Sequence, residues 1–348
     1  MKKHLFLLLY VLFVSSVVTA QKKYSVYAIG FYNQENLFDY THDAGKNDFD
    51  FTPTGSYAWN EMKYKNKLKN MSKVLSEMGT DVLPKMGCIA IGLAEVENKH
   101  VLQDLVAQPN LSKRNFNFIH VEGPDKRGID CALLYNPKYF KIRNYKLIPY
   151  VYEHAKDTTH ATRGFLTVSG TIDNEHVTIV VCHLPSRGAV SYYRELGAKQ
   201  VKHLKDSLQN DDKAVKVIVM GDMNDDPIDP SIAKELSGKP NINEVKAGDM
   251  YNPWYNTLVK DGEGTLQYKG KWNLFDQILM SPNLLNQNGK KDFSTLKYWK
   301  HQIFRRNYLF QETGKYKGNT KRTTAGGIWL NGYSDHLPVV AYFVKAQN

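Results

Sequence analysis

The stretch VIVMGDMNDDP, residues 217–227, constrains this chain more than any other. Val217, Ile218 and Val219 are β-branched and continuous, the composition of a strand covered on both faces. Gly221 is expected to turn the backbone where the run stops. Asp222, Asn224, Asp225 and Asp226 then crowd one strand end. Taken alone, an Asx turn closed by Pro227 accounts for such a cluster.

Other strands end the same way. YSVYAIGFY, from Tyr24 to Tyr32, runs into Asn33 and Glu35, and CIAIGLA runs into Glu95. HVTIVVCHL carries His183, WNLFDQILMS carries Asp276, and LPVVAYFV follows Asp335 and His336. Between them, Leu68, Met71, Leu75 and Met78 recur at helical spacing, Asn98 can cap a short helix, and a longer helix is expected from about Ser191 to Leu208. FNFIHV and IDCALLY read as strands, and GFLTVSGTI pairs with HVTIVVCHL through an Asp173-Asn174 hairpin turn. Polar side chains from several strand ends converge on one rim of a sheet, where a cation or a reacting group can sit.

Lys2 and Lys3 precede an apolar run from Leu5 to Val18, and small residues end it at Ala20. That order is the pattern of a secretory signal at residues 1–20, cleaved before Gln21, and the run is short for a membrane span. An exported chain, periplasmic or extracellular and without stable membrane insertion, is expected. Residues 21–348 contain no low-complexity linker or repeat and read as one catalytic domain, expected to be monomeric. Cys88, Cys131 and Cys182 lie inside apolar runs, so buried free thiols are expected. The formal charge of +11 falls to +9 once Lys2 and Lys3 are removed, a balance that favours anionic partners.

In order along the chain, YNQENLFD, IGLAEVEN, RGIDCALLYN, VVCHLPSR, GDMNDDP, FDQILMS and GYSDHLPV resemble the endonuclease/exonuclease/phosphatase superfamily. The C-terminal AGGIWLNGYSDHLPV is similar to its exported bacterial branch. The resemblance implies an α/β fold, a four-layer α/β/β/α sandwich of two packed mixed sheets like deoxyribonuclease I, with the site at one edge. It implies Asn33, Glu95 and Asp335 at the divalent cation, and Asp222 and Asn224 on the attacking water and the phosphate. His336 matches the phosphate-facing histidine, Asp276 its orienting carboxylate, and His183 the second histidine. Glu35 falls where some members carry an extra carboxylate. Where the abasic-endonuclease branch has Tyr-Gly-Val-Ala-Leu, this chain has Ile129-Asp130-Cys131-Ala132-Leu133, which moves the reading away from DNA repair.

Phosphoester hydrolysis concentrates negative charge on phosphoryl oxygens, and hard oxygen ligands suit Mg²⁺, with Mn²⁺ or Ca²⁺ as substitutes. Asp222 is expected to act on water, Asn224 and His336 on the phosphoryl group, and His183 on the leaving group. Arg127, Arg163 and Arg187 adjoin the predicted rim and are candidate phosphate contacts. Lys300, Arg305, Arg306, Lys315, Lys317, Lys321 and Arg322 interleave with aromatics, as either a nucleic-acid track or a solvated loop. A secreted phosphodiesterase acting on DNA or RNA is the leading reading. A phosphatase or phospholipase C-like enzyme on inositol phosphates or phospholipid headgroups is the alternative, and a non-catalytic binding protein on the same fold ranks below both.

Overall fold

The computed structural model describes residues 23–153 and 162–347, so the expected export segment lies outside the described residues. In chain order the strands are β1 (Tyr24–Leu37), β2 (Cys88–Val96), β3 (Asn117–His120), β4 (Asp130–Tyr135), β5 (Phe140–Ile148), β6 (Phe165–Ile172), β7 (Glu175–His183) and β8 (Lys216–Asp222). They continue as β9 (Gly238–Lys239), β10 (Met250–Tyr251), β11 (Leu266–Tyr268), β12 (Lys271–Asn273), β13 (Asp276–Met280), β14 (Lys297–Ile303), β15 (Thr324–Ala325), β16 (Ile328–Trp329) and β17 (Val339–Ala346). The α-helices are α1 (Glu61–Glu77), α2 (Lys99–Val106), α3 (Pro109–Ser112), α4 (Ser191–Asp211) and α5 (Trp254–Val259).

One mixed sheet has the order β14-β17-β1-β2-β4-β3, the other β5-β6-β7-β8-β13-β10-β9. Along β8, alternate side chains go to opposite faces. Ile218 and Met220 enter the main core with Phe31 and Ile91 of the facing sheet, while Val217 and Val219 enter a second core with Leu196 and Val201 of α4. A continuous β-branched run is what this double burial requires. On the other side, α1 contributes Leu68, Met71, Val74 and Leu75 to the main core. The result is the expected layering of helix, sheet, sheet and helix.

Local signals hold at several points. The Asn98 side chain accepts from Val101 N at the start of α2. Asp173 and Asn174 both take positive φ, 49° and 63°, the backbone of a two-residue hairpin turn. All three cysteines are buried and free.

Gly221 departs from its expected role. The strand continues through it, and a Cβ there would stand 2.1 Å from the Cys182 carbonyl oxygen, so glycine is needed for close approach of β7. Among the strands of seven or more residues, two carry no sequence expectation, β5 and β14. Each lies at the edge of its sheet with charged residues along it, so neither has the apolar run of a central strand.

Candidate active site

Register brings the site together. His183 at the end of β7 stands opposite Asp222 on the parallel β8, and Asp276 at the start of β13 stands opposite the same Asp222 from the other side. Three acid-base side chains thus lie abreast across three neighbouring strands. From the facing sheet, Asn33 of β1 pairs with Ala94 of β2, one residue before Glu95.

The pairing of β1 with β2 shifts register beyond Asn33, and that of β2 with β4 between Ala94 and Val96. Glu35, Asn36 and Glu95 there adopt φ of 46°, 59° and 61°, and Asn224 adopts 50° after β8. Each left-handed non-glycine residue costs about 1–3 kcal/mol, and such strain persists where neighbours fix it. Here Asn36 N donates to Glu95 Oε2 at 2.9 Å, Glu35 N to Asn33 Oδ1 at 2.8 Å, and Asn224 N to Asp222 Oδ1 at 2.9 Å.

A cavity of about 330 Å³ opens at this rim, and Glu95, Arg127, Arg163, His183, Asp222, Asn224, Asp335 and His336 line it. Ser186, Leu266 and Phe275 complete the wall without having been singled out in the sequence. Leu266 arrives through a bridge to His336, a pairing no local pattern reveals.

The remaining expected residues sit behind the wall. Asp276 is fully buried and its Oδ2 lies 2.7 Å from His336 Nδ1. Asn33, which the resemblance implies at the cation, also holds Asp222: its Nδ2 donates to Asp222 Oδ2 at 3.0 Å, and its Oδ1 accepts from Glu35 N. Arg187 faces Asp226 and Asp229 at 3.1 and 2.7 Å and stacks on Phe275, so it braces the loop after Asp222 and lies outside the cavity lining. Arg194 Nε, 2.8 Å from buried Asp225, braces the same loop from α4. The acidic cluster after Met220 therefore divides, with Asp222 and Asn224 facing the cavity and Asp225 and Asp226 structural.

Burial raises the Asp222 carboxyl to about 7; His336 opposes that rise and Asp276 adds to it. Burial also opposes charge on His336, but Asp276, then Asp222 and Asp335, outweigh it and hold the imidazolium well above its ordinary range. His183 goes the other way, pushed well down by burial and then by Arg163 and Arg127. Its Nδ1 has no protein partner. A neutral imidazole is a weak proton donor, so His183 fits hydrogen bonding to a phosphoryl oxygen better than the expected protonation of the leaving group.

Glu95 and Asp335 offer hard carboxylate oxygens to the cavity, and Mg²⁺ needs only one or two of these because it keeps several waters. The donor set fits such an ion. Separately, His120, Glu122 and Asp130 bring ligand atoms within 4.8 Å of one another beside the start of β4. Lys46 Nζ sits 2.9 Å from Glu122, so an ammonium already serves that cluster.

Arg163 is buried beside His183, with Nη1 on Asp125 at 3.0 Å and Nη2 on the Leu184 carbonyl at 3.2 Å. Arg127 is half-exposed, 4.0 Å from Asp125, leaving its guanidinium to the cavity. Two arginines of the basic segment are committed elsewhere: Arg306 pairs with Asp81 at 2.7 Å, and Arg305 stacks on Trp272 near Glu263.

The model of the endonuclease/exonuclease/phosphatase family matches residues 28–345. The chain belongs to this family. Among solved structures of the same fold, ANGEL2, a 2′,3′-cyclic phosphatase, is 12% identical, with 94% of this chain and 99% of that chain aligned at a TM-score of 0.59. TDP2 of D. rerio in complex with a single-strand DNA product is 14% identical, covering 92% and 99%, TM-score 0.52. The mannosyl-6-phosphatase Bt3783 of Bacteroides thetaiotaomicron VPI-5482 is 15% identical, covering 91% and 99%, TM-score 0.54. These likenesses establish the deoxyribonuclease I-like sandwich. No curated protein matches by sequence.

Proposed function

We infer that this family member is an exported, divalent-cation-dependent phosphoesterase that cleaves a P–O bond by in-line attack of water. The observation that carries this is the abreast placement of His183, Asp222 and Asp276 behind one cavity that Glu95 and Asp335 also face. Asp222, held by Asn33 and poised near neutrality, takes the proton of the attacking water. The His336 imidazolium, oriented by Asp276, neutralises charge growing on the phosphoryl oxygens, with Asn224 and His183 adding hydrogen bonds. Glu95 and Asp335 would hold a divalent cation, which would supply Lewis acidity at the same group. Export rests on the pattern of residues 1–20.

On substrate, the committed state of Arg305 and Arg306 and the two guanidiniums in a cavity of about 330 Å³ favour a compact phosphoester. A nuclease is the second reading, favoured by the basic balance of the chain and by a fold that TDP2 uses on DNA. Purified protein assayed on plasmid, RNA, sugar phosphates, inositol phosphates and sphingomyelin, with Mg²⁺ or Mn²⁺, decides between them. Turnover of none of these in either metal overturns the phosphoesterase reading.

A further inference from the structure

The cavity wall does not stop at Leu266. That residue opens β11, which pairs with β12 so that Leu266 stands opposite Asn273 and Tyr268 opposite Lys271. Side chains two apart on a strand share a face, as do directly paired ones. Leu266, Tyr268, Lys271 and Asn273 therefore share one face of the hairpin, and Gln267 and Trp272 share the other. Contacts fix which face is which. Trp272 packs against Phe310 and the Arg305 guanidinium, whereas Asn273 Oδ1 accepts from Arg187 Nη1 at 3.2 Å, and Arg187 stacks on Phe275, a second wall residue. The Leu266 face is thus continuous with the cavity lining.

Tyr268 lies about 7 Å along that face from Leu266, at about 3.3 Å per residue. It is 61% exposed. Lys269 and Gly270 make the turn with φ of 49° and 79°, the paired left-handed geometry of a tight two-residue hairpin, so the tip is well defined. Trp272 on the opposite face and the bridge from Leu266 to His336 anchor the hairpin, which leaves the Tyr268 ring to another partner. We propose that Tyr268 is a specificity-determining residue, a platform for a ring carried by the alcohol portion of the phosphoester. Its open face suits a nucleobase, by stacking, or the apolar C–H face of a sugar. The assignment rests on the phosphoesterase reading above and adds to it that the substrate bears a ring.

The test measures Kd by calorimetric titration of the full chain with adenosine 5′-monophosphate, glucose 6-phosphate and glycerol 3-phosphate, in EDTA so that no turnover intervenes. The parent is expected to bind at least one ring-bearing ester about tenfold more tightly than the ring-free glycerol ester, the scale of one aromatic stack. Tyr268→Ala is expected to erase that preference and Tyr268→Phe to keep it, while Tyr316→Ala, equally exposed on another loop, leaves it untouched. Which ring ester loses more in Tyr268→Ala tells a nucleobase from a sugar. Circular dichroism checks folding, and Tyr268→Gln takes the place of Tyr268→Ala should that variant not fold. A parent without ring preference overturns the proposal, as does a preference that survives in folded Tyr268→Ala, disappears in Tyr268→Phe or is lost alike in Tyr316→Ala. Each of these leaves the phosphoesterase reading standing if the parent turns over any ester assayed above, whereas turnover of none sinks both.

Discussion

Asp276 Oδ2 lies 2.7 Å from Nδ1 of His336, and the far side of the same imidazole points to Asp222, with Nε2 3.8 Å from Asp222 Oδ2. The buried carboxylate sets which nitrogen faces the reacting group and keeps it charged. His336→Ala is expected to lower kcat at least ~100-fold, the scale of losing a transition-state hydrogen-bond donor. Asp276→Asn, which keeps the shape but removes the charge, is expected to cost ~10-fold or more in kcat with a smaller change in KM. Steady-state kinetics on the best ester checks both, and equal, mild effects would remove the pair from the chemistry.

Glu95 is reached by the backbone of Asn36 through only one of its oxygens. Glu95→Gln is therefore expected to keep the fold while raising the Mg²⁺ needed for half-maximal rate by about tenfold or more, the scale of losing one carboxylate at a cation. Excess EDTA is expected to abolish turnover, and Mg²⁺ or Mn²⁺ to restore it. Full activity in EDTA would end the cation-dependent reading.

Asp222 must be ionised to accept a proton. With its carboxyl raised to about 7 by burial, kcat/KM at subsaturating cation is expected to fall about tenfold per pH unit below that value. Bound cation favours the ionised form, so the acid limb moves to lower pH as Mg²⁺ rises. A flat profile from pH 5 to 8 at low Mg²⁺ would contradict a base with this titration.

His301 gives a stability effect with no catalytic one. Burial holds its imidazole down at about 4, between Thr257 Oγ1 at 2.9 Å and the Tyr298 hydroxyl at 2.6 Å. The unfolded chain protonates this group near its ordinary value of about 6.5, so it binds more protons than the native state below that pH. The stabilisation is present above about 6.5 and is lost as pH falls toward 4, by up to about 3 kcal/mol. Urea denaturation of the parent and His301→Gln at pH 5 and pH 8 checks this. The variant should lose less stability on acidification, at unchanged kcat.

Arg306 pairs with Asp81 and lies over the Phe304 ring. Its neutralisation together with Arg305 is expected to flatten the log K against log salt slope for DNA by well under 1 unit, since these charges already have partners, where free phosphate contacts would each remove about 0.7–0.9. A drop of about 2 units would instead restore the segment as a nucleic-acid track and favour the nuclease reading.

Much of the site was legible because its residues stand at the ends of buried strands, and buried strands are the clearest periodic signal a chain carries. Asp222, His183 and Asp276 could be picked out for that reason. Their mutual register could not, since pairing of β8 with both β7 and β13 is a property of the sheet. Lys67 was overlooked although it lies three residues after Tyr64 and four before Met71, on the buried stripe of α1. Arg322 was read only as one member of a basic run, because its partner Glu35 is 287 residues away. The charged edge strands β5 and β14 escaped for the opposite reason, having no apolar run to betray them.

The placement of three acid-base groups on adjacent central strands ties durability to chemistry. Opening the hydrogen bonds between β7, β8 and β13 would require dismantling the middle of a sheet with cores on both sides. Local fluctuations of the outer loops can then change what reaches the cavity without disturbing its acid-base alignment. Heat inactivation of such a molecule should coincide with global melting, leaving no folded but inert form between the two.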